Sequence, residues 1–179
     1  YPTFLYPSRH HEEAMAHLMY GIQERLGFLL ITGEVGTGKT TLAKALVEKL
    51  AAPTKTALIL NPALSGTQLL RAILLDFGAF SHTNLAGKPA TLPSTRGELL
   101  QAIEHFLIQM AHNGGMGVLI IDEAQALSPA TLEQIRLLSN VETSKAKLLQ
   151  IILIGQPELA NRLKTNFRLR ALQQRIAVR

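Results

Sequence analysis

Apolar positions along the chain follow two patterns. Short continuous apolar runs occur at residues 28–32, 56–60, 118–121 and 148–154. They are bounded by Gly, Pro, Asn or acidic residues and are too short for helices, so they predict strands covered on both faces, as in a parallel sheet. Between them the apolar residues recur at helical spacing: Ala14, Leu18, Met19 and Ile22 within 12–25; Leu42, Ala45, Leu46 and Leu50 within 41–50; Leu69, Leu70, Ile73 and Leu74 within 65–77; Leu99, Ile103, Phe106, Leu107 and Met110 within 98–111. Ser128 followed by Pro129 is an N-cap with proline at the first helical position, and it opens a helix through Leu132, Ile135, Leu137 and Leu138. A short helix over 158–163 and a last strand within 169–178 complete the pattern. Strands alternating with helices predict an α/β fold: a parallel sheet with helices on both faces, three layers deep.

Two segments fall outside this alternation. Residues 1–8 carry Pro2 and Pro7 around Phe4 and Tyr6 and read as an extended entry segment. Residues 78–95, with Gly87, Pro89 and Pro93, form the longest loop, a surface excursion suited to partner contact. No internal repeat interrupts the chain.

A length of 179 residues suits one α/β domain with a proper core, so the expectation is a single domain over 1–179. With 47% hydrophobic and 17% charged residues the chain is globular rather than disordered. It has no apolar run of bilayer length and no charged-then-apolar leader, which predicts a soluble piece. The absence of cysteine removes disulfides, thiolate metal sites and a cysteine nucleophile, and suits a reducing compartment. The net charge of +5 and pI near 9.7 raise nucleic acid as a partner. The basic residues, however, thicken at the end of the chain: Arg162, Lys164, Arg168, Arg170, Arg175 and Arg179. With aromatics at 5%, few stacking platforms exist, and a solvated or subunit-facing surface fits better than a specific DNA reader.

The chemistry begins after the first strand, where residues 33–40 fit G-x-x-x-x-G-K-[ST] between a strand and a helix. Gly33, Gly36 and Gly38 let the backbone curl with its N–H groups inward, and the following helix adds its positive end, together making a phosphate nest. Gly33, Glu34, Val35, Gly36, Thr37, Gly38, Lys39, Thr40 and Thr41 are therefore the nucleotide-binding candidates. Lys39 supplies charge to the outer phosphates, and the Thr40 hydroxyl is placed for Mg²⁺.

A second element ends the 118–121 strand with two acids, Asp122 and Glu123, at the sheet edge where open α/β sheets bind ligands. Asp122 is the second metal candidate, directly or through water, and Glu123 the group that orients and deprotonates an attacking water. Asn61, at the end of another strand, has two open readings: it holds a catalytic carboxylate, or it makes the Asn61-Pro62 turn. Gln156 likewise either senses the γ-phosphate or positions water, or is a turn residue. Phe4, Tyr6 and His10 are weak candidates for adenine contact, with packing the competing role; His10, His11 and His17 lack partners at metal-ligand spacing and read as surface or packing residues.

The phosphate loop, the Asp122-Glu123 strand and the polar end of the next strand resemble the AAA+ branch of phosphate-loop ATPases. The stretches beginning at Phe4, Gly33, Leu119, Leu132 and Ile154, among them Leu119-Ile-Ile-Asp-Glu-Ala-Gln125 and Ile154-Gly-Gln-Pro-Glu-Leu159, are similar to the ATPase domain of the ExeA/GspA-type general secretion pathway family. The resemblance covers nearly the whole chain. It implies an AAA+ core with strand order 5-1-4-3-2, Mg²⁺-dependent ATP hydrolysis, and a cytoplasmic domain of an inner-membrane protein that works with a membrane partner in secretin assembly. It also implies a homo-oligomer in which an arginine finger reaches a neighbouring subunit, from Arg168, Arg170 or Arg175, with Arg175 the first candidate, and Gln156 as the first sensor. Relative to that family the chain stops before the helical lid and lacks a short lead-in before Tyr1, which predicts a fragment of a longer protein and slow hydrolysis. Two other readings stand beside it: a DNA-associated regulator of transposition type, and an ATP-gated scaffold that barely hydrolyses.

Overall fold

The computed structural model describes residues 9–80, 91–143, 146–165 and 177–178. Its elements run α1 (Arg9–Gln23), β1 (Phe28–Thr32), α2 (Lys39–Lys49), β2 (Thr54–Ile59), α3 (Gly66–Asp76), α4 (Arg96–His112), β3 (Met116–Ile121), α5 (Pro129–Leu138), β4 (Leu149–Gly155), α6 (Pro157–Thr165) and β5 (Ala177–Val178). Local chemistry sets several starts. Ser65 with Gln68 and Thr95 with Glu98 form capping boxes at α3 and α4, and the Ser128 hydroxyl accepts from the Thr131 amide ahead of Pro129 at α5. A single 3-10 turn at Ala124–Ala126, absent from the sequence expectation, follows β3.

All five strands pair in parallel in the order β2-β3-β4-β1-β5, which read from the other edge is 5-1-4-3-2. Strand residues alternate between two cores. Phe28, Leu30, Leu119, Ile121, Ile151 and Leu153 face the larger core with α3, α4, α5 and α6. Leu29, Ile31, Val118, Ile120, Ile152 and Ile154 face the second, covered by α1 and α2. The helix of the β1-to-β2 connection thus lies on one face and those of the return connections on the other. That division is what right-handed crossovers require when the chain first runs to one edge of the sheet and then comes back.

The central strands β3 and β4 are buried almost throughout, as their continuous apolar runs demand. β2 departs from expectation. It is the edge strand, with Lys55 exposed and only Ala57 and Ile59 buried, and Leu60, placed in the strand by its apolar run, lies beyond it and is 43% exposed.

Candidate functional site

Parallel register brings the chemistry-bearing residues to one edge. Ile59 pairs with Ile121, Ile121 with Leu153, and Thr32 with Gly155, so the residues that follow β2, β3, β4 and β1 emerge side by side at their C-terminal ends. Two further backbone bonds tie this edge together, Asp122 N to Ile59 O at 2.8 Å and Gly33 N to Gly155 O at 3.1 Å.

The loop from β1 to α2 has the shape its glycines allow. Gly36 and Gly38 both sit at φ +81°, a conformation that side chains with a Cβ rarely adopt. α2 begins at Lys39 without a side-chain cap, leaving its first amides directed at the loop. The Lys39 ammonium donates to the carbonyls of Gly33 and Glu34, each at 2.7 Å, and the Thr37 hydroxyl donates to Glu34 O at 2.7 Å. His11, from α1, reaches across to place its Nε2 2.7 Å from the Thr37 carbonyl, and its ring lies against Gly38, where an added Cβ would stand 2.7 Å from His11 Cε1.

The acids meet this loop. Asp122 is 2% exposed; its Oδ2 accepts from the Thr40 hydroxyl at 2.5 Å and its Oδ1 from the Glu123 amide at 2.8 Å. Glu123 holds a left-handed backbone, φ +53°, which turns the chain out of β3. It lines a cleft of about 320 Å³ with Val35, Gly36, Gly38, Lys39, Thr40 and Gln156. The cleft therefore carries the Lys39 ammonium, the Thr40 hydroxyl and the Glu123 carboxylate at a helix N-terminus, with the Asp122 carboxylate bonded to Thr40 behind it, a donor set for phosphate oxygens and for a hard, oxygen-seeking cation.

Of the residues singled out from sequence, Lys39, Thr40, Asp122, Glu123 and Gln156 converge here with the glycines of the loop. Glu34 and Val35 sit at the exposed tip, with Val35 77% exposed. Thr41 faces a neighbouring groove between α1 and α2, lined also by Met15, Met19 and Ala45. Asn61 does not hold a carboxylate: it is exposed, and its Oδ1 accepts from Ala63 N at 3.3 Å, so the turn reading is the one realised. The Glu123 carboxylate instead accepts from Gln125 Nε2 at 2.5 Å. Phe4, Tyr6, Arg168, Arg170 and Arg175, together with the side chain of His10, lie outside the described residues. Sequence reasoning passed over three residues of the site: His11 on the loop, Gln125 on Glu123, and Arg162, whose guanidinium donates to the carbonyls of Gln125 and Leu127. Only Gln125 had a signal, its place two residues after Glu123 in the Asp-Glu-Ala-Gln run.

Residues 22–163 match the family model described as AAA domain. The chain belongs to the AAA domain family. This AAA domain is 46% identical over 178 residues to the General secretion pathway protein A of Aeromonas hydrophila, an alignment that takes in 99% of the chain and 31% of that protein. The resemblance to general secretion pathway A proteins is thus borne out, and the chain spans less than a third of the relative's length. Among solved structures, the AAA domain matches Cdc6p from Pyrobaculum aerophilum with a TM-score of 0.73 at 17% identity, over 99% of this chain and 47% of that one. It matches the Aeropyrum pernix ORC2 protein, solved as ADPNP–ADP complexes, with a TM-score of 0.69 at 14% identity, over 99% of this chain and 48% of that one. At such identities the likeness is one of fold, and the fold is the α/β sandwich anticipated from the chain's periodicity.

Proposed function

We propose that residues 1–179 form one AAA+ core that binds ATP with Mg²⁺ at residues 33–41 and hydrolyses it, using Glu123 as the base. The observation that carries this reading is the contact between Thr40 Oγ1 and Asp122 Oδ2: it joins a phosphate loop to a strand-end carboxylate, through a threonine that lines the same cleft as Glu123 and Gln156. Thr40 and Asp122 would hold Mg²⁺, since two oxygen donors converge at one point and that ion accepts few protein ligands beside water and phosphate. When bound, Mg²⁺ supplies charge neutralisation on the phosphate oxygens.

The chain's own residues do the rest. The loop amides and the N-terminus of α2 bind the phosphates, and Lys39 exchanges its carbonyl partners for phosphate oxygens. Glu123 takes a proton from the attacking water as its oxygen bonds to the γ-phosphorus; the bond to the bridging oxygen breaks, and ADP and phosphate leave. Gln156, which lines the cleft with Glu123, contacts the γ-phosphate or the water. A guanidinium from a neighbouring subunit, Arg175 by preference over Arg168 and Arg170, completes the charge balance in a homo-oligomer.

The 46% identity to a general secretion pathway protein A supports a role in secretion: ATP turnover in the cytoplasm, coupled through a membrane partner to assembly of a secretin in the cell envelope. Among the described residues no helix is long and apolar enough to cross a membrane. The deciding experiment pairs two variants. Glu123→Gln retains ATP while turnover falls by roughly 10²–10⁴-fold, and Lys39→Ala loses ATP binding. A Glu123→Gln protein that hydrolyses at the wild-type rate overturns the assignment of the base.

A further inference from the structure

We propose that Gln125 is a positioning residue that ties the Glu123 carboxylate to the end of β4, filling one of the two roles left open for Asn61 by the sequence; the proposal rests on Glu123 being the base. Both ends of the Gln125 amide are engaged. Its Nε2 donates to Glu123 Oε2 at 2.5 Å, and its Oε1 accepts from the Gln156 backbone amide at 3.1 Å. A backbone N–H can only donate and a carboxylate can only accept, so the amide has one orientation that satisfies both neighbours. Neither an ionised glutamate nor a lysine offers an acceptor at one tip and a donor at the other.

The surroundings keep the bridge in place. A Cβ at Gly155 would stand 2.7 Å from Gln125 Oε1, so the missing side chain leaves the room in which the amide rests against β4. Arg162, on α6, donates to the carbonyls of Gln125 and Leu127 and clamps the turn that carries the amide. Ala124, between Glu123 and Gln125, is fully buried and anchors the same turn. Glu123 is thereby coupled to Gln156: a shift of the β4 end is passed through one amide to the carboxylate. Gln156 and Glu123 line the same cleft, so the residue beside the γ-phosphate position and the base cannot move independently.

The test compares wild type, Gln125→Ala and Gln125→Glu in the full-length protein, measuring ATP affinity and single-turnover hydrolysis. Gln125→Ala should lower the rate about 10–100-fold, the range for removal of a residue that orients a reacting group, with ATP affinity within about twofold of wild type. Gln125→Glu should show the same loss near pH 8 and regain rate, relative to wild type, as the pH is lowered toward about 5: a carboxyl placed beside a like charge holds its proton to higher pH than a free one, and in that form it again offers a donor to Glu123. An unchanged rate in Gln125→Ala, or a loss matched by an equal loss of ATP affinity, overturns the proposal. A second readout needs no turnover: the Gln125 side-chain amide hydrogens, assigned in the NMR spectrum by their loss in Gln125→Glu, should exchange slowly with solvent in wild type and faster in Glu123→Ala. Equal exchange in the two proteins overturns the bridge. If wild type fails to bind ATP, the proposed function fails instead, and the exchange measurement still decides whether the bridge exists.

Discussion

The Thr40 hydroxyl lies 2.5 Å from the Asp122 carboxylate although 82 residues separate them in the chain. One is the first turn of α2 and the other the residue after β3, and β4 runs between the strands that deliver them. Their contact joins the phosphate loop to the end of β3, and it is where the proposed Mg²⁺ site is placed.

Thr40→Val removes the hydroxyl and leaves a carboxylate that is 2% exposed without one of its two donors. A buried acceptor left unsatisfied costs roughly 1–3 kcal/mol, so the urea midpoint should fall. The same variant should lose the difference in ATP affinity between Mg²⁺ and EDTA buffers. Asp122→Asn keeps the shape and should lose that difference too, with less effect on stability. A Mg²⁺ effect preserved in both variants would remove these two residues from the cation site.

Gly155→Ala tests the packing at the other side of the cleft. The new methyl would stand 2.7 Å from Gln125 Oε1 and 3.0 Å from Leu159 Cδ2, so either the amide or the first turn of α6 must give. Overpacking of this kind costs about 1–3 kcal/mol. We expect a lower melting temperature together with slower hydrolysis at unchanged ATP affinity, because the atom displaced belongs to the residue that orients Glu123. Destabilisation with a wild-type rate would mean that Leu159 alone yields.

The layers, the strand order and the phosphate loop were legible because each is written in a local signal or carried by the family resemblance. β3 and β4 show unbroken apolar runs, the helices show stripes, and the loop has glycine where φ +81° is needed. Asn61 had two open readings, and the turn is the one seen: its Oδ1 accepts from the amide two residues on, a closure that asparagine makes within its own turn. Edge and centre could not be told apart from the run at β2, since burial on the second face depends on a neighbour that no short window contains. Gln125 and Arg162 were hidden because the 3-10 turn after β3 has no periodic signature, and the carbonyls that Arg162 binds belong to residues 37 and 35 positions away.

His11 was read as a surface or packing residue, and the structure puts it on the phosphate loop. Its Nε2 lies 2.7 Å from Thr37 O, and its ring covers Gly38. One such hydrogen bond contributes about 0.5–1.5 kcal/mol, so His11→Ala should weaken ATP binding by roughly 2–12-fold, with little change in the rate at saturating ATP. Isothermal titration with a non-hydrolysable analogue checks the first part and steady-state turnover the second. A lowered rate at saturation would show that the loop's contact with α1 matters in the reaction as well as in binding.

Glu98, which does not line the cleft, supplies a pH-dependent element of stability. Its carboxylate closes the capping box at the start of α4, and hydrogen bonds from the Thr95 amide, the Thr95 hydroxyl and the Ser94 amide hold its pKa below the ordinary value of 4.5. A carboxyl whose pKa is depressed by folding stabilises the fold above its unfolded pKa, and the contribution fades as the pH falls through the folded value. Gln at the same position can still bond the cap amides but carries no charge for the helix N-terminus. Glu98→Gln should therefore unfold at lower urea than wild type at pH 7, and the two curves should draw together as the pH drops below about 4.5, the unfolded value. A gap that stays constant from pH 7 to about pH 3 would mean that the box works by shape alone and that the ionised carboxylate adds nothing to it.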